Sequence, residues 1–192
     1  MSEQIHFDIE IVRAVDCTRL GWPALDQRQE GGRLGGNHEY VDLRHISWAE
    51  AVDIADEERG IIDRIERADD PDAEWTVIEE ELEEDPGLMV LIDLGIASTV
   101  AALSAAGCIT VSSCNGGAYG DHHHERYPLV AFYARRQHVP LLLGAAERAG
   151  VGIENDPDGA VVVYADAIDR MPIFAAALIE DRAGFEALPP VK

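Results

Sequence analysis

Val151-Gly152-Ile153-Glu154-Asn155-Asp156-Pro157-Asp158-Gly159-Ala160-Val161-Val162-Val163-Tyr164 is the stretch on which the fold turns. Two short β-prone runs, Val151 to Glu154 and Ala160 to Tyr164, flank the turn formers Asn155 to Gly159, and that arrangement predicts a hairpin. Just upstream, Val139 to Ala149 reads as a helix. Downstream, Ala167 to Ala183 predicts a last helix with Pro172 near its first turn. Further upstream, Ile109 to Ser113 and Leu129 to Ala134 read as strands separated by a polar loop. A helix through Val100 and Leu103 precedes them, capped by Asp93 or Ser98 and stopped by Gly107. The order from residue 93 is therefore α-β-β-α-β-β-α. Neighbouring strands joined by short loops pair antiparallel, so the expected class is α+β, with helices packed on a mostly antiparallel or mixed sheet.

The preceding half reads differently. Ile5, Phe7, Ile9 and Ile11 alternate, which predicts a strand over Ile5 to Val15. Gly21 to Asn37 is a glycine-containing loop. Ser47 followed by Glu50 matches a capping box, and Trp48, Val52, Ala55, Ile62 and Ile65 fall on one helical side. Asp70-Pro71 starts a second helix with a narrow stripe of Trp75, Ile78 and Leu82, ended by Pro86-Gly87. We expect one α+β domain over 1–192, with an acidic helical pair at 47–85 ahead of a site-bearing core at 88–183.

Charge restricts function. The 192 residues hold 37 acidic and 15 basic side chains, a net charge of −22, and Lys192 is the single lysine. Long nucleic acids are disfavoured as partners, because phosphate contacts need Lys and Arg. The acidity is uneven: residues 50–85 hold 17 acidic and 3 basic groups, net −14. Segment 97–138 holds Asp121 and Glu125 against Arg126, Arg135 and Arg136, net +1. A small anionic molecule is thus compatible with this segment. The carboxylates of 50–85 read as solvated helix faces, which could meet a basic protein partner. The opening residues Met1 to Ile11 carry Glu3, Asp8 and Glu10 and do not resemble a signal peptide. The most apolar run, Leu88 to Val111, is broken by Asp93, so no membrane span is expected and a cytoplasmic location is. Three cysteines do not make a disulfide framework.

Chemistry concentrates in Ser112-Ser113-Cys114-Asn115-Gly116-Gly117 and the Asp121-His122-His123-His124-Glu125 run that follows. A strand ending here puts the Cys114 thiol at a sheet edge, and Gly116 and Gly117 can turn their N–H groups toward an anion. In an extended chain His122 and His124 lie on one side, about 7 Å apart, within reach of one ion. Three readings stand open. Cys114, His122 and His124, joined by Asp121 or Glu125, form a zinc site. Cys114 is a nucleophile with His122 or His124 as base, and the Gly116 and Gly117 N–H groups stabilise an oxyanion. Or the thiol is a buried structural residue beside a solvated histidine loop. Asn115, Gly116, Gly117 and Arg135 are the expected contacts to a small anionic cofactor or substrate. Cys108, about 20 Å from Cys114 along an extended chain, is expected in the core.

The run from Asp93 to Tyr133, with Asp93, Ile96, Val100, Leu103, Gly107, Thr110 and then Ser113-Cys114-x-Gly116, resembles small bacterial and phage proteins with a T-x-x-S-C-x-G turn. It is also similar to the Ser-Ser-Cys-Ser-Gly-Arg segment of the tRNA wybutosine-synthesising methyltransferase family. Ser112, Ser113, Cys114 and Gly116 match that segment, whereas Asn115 and Gly117 replace its serine and arginine. The resemblance covers about 40 residues and implies an α+β domain in which this turn lines the functional cleft. The family's S-adenosylmethionine-dependent tRNA methylation does not carry over with it, because the arginine is missing and the histidine run is additional. Two functions of different class are therefore expected: a Cys/His cleft for a metal or small anion, or an acidic interaction module of the inhibitor or immunity type.

Overall fold

A computed structural model of the chain describes residues 6–23, 43–84, 91–119 and 125–189. In chain order its elements are β1 (Arg13–Ala14), α1 (Trp48–Arg67), α2 (Pro71–Glu84), α3 (Ala97–Ala105), β2 (Ile109–Cys114) and β3 (Leu129–Tyr133). They continue with α4 (Val139–Ala149), β4 (Gly152–Asn155), β5 (Val161–Tyr164), α5 (Arg170–Glu180) and α6 (Arg182–Glu186). The five strands form one mixed sheet in the order β1-β4-β5-β3-β2. Only the β1–β4 pairing is parallel. The chain is an α+β protein, and from residue 93 the order is the expected one, except that the final helix is divided at Asp181.

Local chemistry explains most of these boundaries. Ser47 and Glu50 close the capping box of α1, with Glu50 N–H on Ser47 Oγ at 3.2 Å and Ser47 N–H on Glu50 Oε2 at 2.7 Å. Asp70 Oδ1 accepts the Ala73 N–H at 3.2 Å at the start of α2. Gly150, at φ 75°, ends α4 in the left-handed conformation, and Val151 N–H returns to Ala146 O. In the β4–β5 turn, Asp156 Oδ1 accepts the N–H groups of Asp158 and Ala160, an arrangement that builds the turn from one carboxylate.

The strands alternate. Val130, Phe132, Ile153, Val161 and Val163 are buried against the helices, whereas Leu129, Ala131, Tyr133 and Val162 on the opposite face are half-buried. The helix α3 has no polar face: its residues from Ala97 to Ser104 are all buried, because α1, α5, β2 and β3 all pack against it. Among the described residues no helix is long and apolar enough to cross a membrane.

Two expectations are corrected. The strand predicted over Ile5 to Val15 shortens to Arg13–Ala14, with one isolated bridge from His6 to Ala167. The reason is Tyr164, whose hydroxyl accepts the Val12 N–H at 3.1 Å and donates to Glu10 O at 3.2 Å. A side chain thus takes backbone groups that a ladder would otherwise use. Nor is α3 capped by Asp93 or Ser98. Its N-cap, Ile96, offers no side-chain cap, and Ser98 lies inside the helix. The cap comes from Glu58 of α1, as described below. The Leu88–Ile92 run lies outside the described residues up to 90, and so do Pro86 and Gly87.

Candidate functional site

The strand β2 is an edge strand, and its last residue, Cys114, pairs with Leu129 of β3. Residues 115–128 are therefore the connection between two strands whose ends lie side by side. Cys114 is buried, and its Sγ accepts the Gly116 N–H at 3.4 Å. Gly116 (φ 69°) and Gly117 (φ 80°) both adopt the left-handed backbone that favours glycine. Gly116 has a second constraint, since a Cβ there would lie 2.6 Å from the Tyr127 carbonyl carbon. The outgoing and returning arms of the connection thus touch at its base.

Next to the thiol, Asn115 is 2% exposed. Its backbone N–H donates to Asp93 Oδ2 at 3.0 Å. Its Nδ2 donates to Leu94 O at 3.3 Å and to Tyr119 O at 2.9 Å, and its Oδ1 accepts the Gly117 N–H at 2.9 Å. Both glycine N–H groups therefore have partners inside the chain: Gly116 the sulfur, Gly117 the Asn115 amide. The expectation that they converge on an external anion is not what this turn does. A glycine pair permits such a nest, but the Asn115 side chain occupies it first.

The segment from Asp93 into the first turn of α3, which contacts Asn115, is held from below by Glu58. This carboxylate, 1% exposed, accepts the N–H groups of Gly95 and Ala97, each at 2.9 Å, and of Ser98 at 3.2 Å, as well as the Ser98 hydroxyl. Burial pushes the Glu58 carboxyl above its ordinary range, and the donors from Ser98, Ala97 and Gly95 pull against that. The tyrosine that closes the other side, Tyr119, packs its ring 6.2 Å from Trp75 of α2. Burial, with Glu66, Glu58 and Asp169 nearby, pushes its hydroxyl up to about 12.

The sequence-predicted residues are not all brought together. Antiparallel pairing sets Cys114 against Leu129 and Ile109 against Tyr133. Arg135 follows Tyr133, so it lies six residues beyond Leu129, about 20 Å toward the far end of the strand pair. There its guanidinium sits 4.2 Å over the Trp22 ring. Arg135 therefore does not share a site with Asn115, Gly116 and Gly117, because the hairpin reverses chain direction. Asp121, His122 and His124 lie outside the described residues. Among the described residues no three His, Cys, Asp or Glu side chains are grouped to hold a metal ion.

A different Cys–His couple occupies the far end. Cys108 Sγ lies 3.9 Å from His138 Nδ1, which also accepts the Arg135 N–H at 3.3 Å. Burial pushes the Cys108 thiol up to about 12, while burial and Arg135 push His138 down to about 4. Both groups are neutral near pH 7. The couple thus lacks the thiolate that nucleophilic catalysis needs, and Cys108 is the core residue expected of it.

Sequence reasoning missed Glu58, Asp93 as the acceptor of the Asn115 N–H, and the pairing of His138 with Cys108. Glu58 did leave a signal. Ala51, Glu58 and Ile65, the buried residues of α1, are spaced seven apart, so a carboxylate stands in an apolar row. The Cys108–His138 pairing left none, since its members are 30 positions apart. No protein-family model matches the chain, and neither a curated protein nor a solved structure matches it.

Proposed function

We propose that the chain is a cytoplasmic protein that binds a metal ion, zinc in the first instance, at the end of the sheet where β2 gives way to the Cys114–Gly117 turn. In this reading Cys114 supplies a sulfur ligand, and His122 and His124, with Asp121 as a further donor, supply the rest. The open coordination position takes water or a small anionic substrate, and a bound zinc would polarise either. The supporting observation is the Gly116 N–H on Cys114 Sγ at 3.4 Å, since a backbone donor orients a sulfur for ligation. The register adds to this: Cys114 opposite Leu129 makes the histidine run part of the connection that leaves from the thiol. The similarity to the wybutosine-synthesising methyltransferases supports the same location and no particular reaction. Elemental analysis of tag-free protein tests the reading. About one zinc per chain, lost in Cys114→Ser and in the His122→Ala/His124→Ala double variant, is expected; metal-free wild-type protein that takes up no added zinc sinks it.

A second reading is favoured by the arginines of α1. Arg59 pairs with Asp56, Arg67 with Asp63, and Arg64 with both Glu74 and Glu81. The helical pair thus neutralises its own cations, and Asp53, Glu57, Glu66, Asp72, Glu79 and Glu80 remain exposed. Such a face suits a basic protein partner. Titration with a Lys/Arg-rich helical peptide should show binding at low ionic strength that vanishes near half-molar salt. Heat release that persists unchanged at high salt would count against this.

A further inference from the structure

Asn115 stands beside the proposed sulfur ligand, yet both of its amide protons are already donated, to Leu94 O and Tyr119 O. Its carbonyl oxygen holds the Gly117 N–H, and its own backbone N–H is held by Asp93. A residue with both donors committed and 2% exposure has no proton left to offer a ligand. It does join three segments: the loop 93–95, the turn 115–117 and Tyr119. No other side chain of this size would do the same at position 115. Aspartate would face two carbonyl oxygens without a proton, and leucine would leave Leu94 O, Tyr119 O and the Gly117 N–H without their present partner.

We propose that Asn115 and Asp93 are positioning residues for Cys114, fixing the turn whose Gly116 N–H meets the sulfur. This rests on Cys114 as a metal ligand. Asp93 reaches the turn from outside and grips it at its first backbone N–H. Asn115 then sets the path of Gly117 and Tyr119, and Gly116, between Asn115 and Gly117, is held with its N–H on Sγ. Displacing the turn removes the donor that orients the sulfur without touching the sulfur itself. Supporting bonds of this kind change metal affinity by about 10–100-fold.

Cobalt(II) tests this, because a thiolate ligand gives it a sulfur-to-metal charge-transfer band. Wild-type protein should show the band, and Cys114→Ser should lose it. Asn115→Ala and Asn115→Asp should bind cobalt about 10–100-fold more weakly, with a diminished band. Asp93→Ala should weaken binding by less, and Asp93→Asn, which keeps an acceptor oxygen, should restore it. The Asp93 pair leaves the Asn115 side chain in place, so it decides the matter even where Asn115→Ala does not fold. Wild-type affinity and an undiminished band in Asp93→Ala, or in a cooperatively melting Asn115→Ala, overturn the positioning role alone. A wild-type protein with no charge-transfer band overturns the sulfur ligand and the positioning role together.

Discussion

Glu58 on α1 holds both the backbone N–H and the hydroxyl of Ser98, forty positions later in the chain. With the Gly95 and Ala97 N–H groups on its other oxygen, one carboxylate caps all of α3. The helix it caps is buried from Ala97 to Ser104, so water cannot replace the carboxylate at its start.

Truncating that cap should be costly. Glu58→Ala leaves several buried donors without a partner, each worth about 1–3 kcal/mol, so a total loss of about 3 kcal/mol or more is expected. Glu58→Gln keeps an acceptor and should lose less than half of that. Urea denaturation midpoints check both. An alanine variant within about 1 kcal/mol of wild type would mean that the cap is dispensable.

Glycine at 116 and glycine at 60 should respond in opposite directions. At φ 69°, with Tyr127 backbone 2.6 Å from a Cβ, Gly116→Ala should cost about 2–4 kcal/mol. Gly60 lies inside α1 with nothing within 4 Å of its Cβ position, so Gly60→Ala should gain about 0.5–1 kcal/mol. Thermal melts of the two variants give the signs directly.

Acid should act through His138. Its folded-state value of about 4 lies below the ordinary 6.5, so between those values the unfolded chain binds a proton that the folded one refuses. Stability from the neutral imidazole is therefore full above pH 6.5 and is lost as pH falls toward 4, up to about 3 kcal/mol. His138→Gln should flatten the pH dependence of unfolding in that window. A slope identical to that of wild type would remove His138 from the account.

Salt should stabilise the fold. A chain of net −22 repels itself, and the exposed carboxylates of α1 and α2 lie within a Debye length of one another at low ionic strength. Raising potassium chloride from 0.05 to 1 M should lift the melting midpoint by several degrees, at about 2–4 °C per kcal/mol for a chain of this size. A midpoint that stays flat or falls would show that self-repulsion is not limiting.

Local signals made much of this legible. The capping box at Ser47–Glu50, the Asp70-Pro71 start, the helix Val139–Ala149 and the β4–β5 hairpin were each readable because their causes lie within a few residues. What stayed hidden depends on distant partners. Tyr164 cut short the first strand from 150 positions away, Glu58 replaced the cap expected of Asp93, and antiparallel register carried Arg135 away from Cys114. In the candidate site, the turn at Cys114 and its two glycines were visible, whereas the Asn115 amide that fills it was not. Composition cannot tell a side chain that greets a ligand from one that has already bonded to its own backbone.

The pairing of Arg13 with Ile153 and Ala14 with Glu154 sets an order of events. These two early residues have no ladder to join until a hairpin 140 positions later has formed. During synthesis this segment must therefore wait, unpaired, while the residues up to β4 and β5 emerge. The slowest step in assembling the sheet should be the arrival of its oldest strand, and a ribosome-bound chain halted before Val151 should leave that segment open to protease.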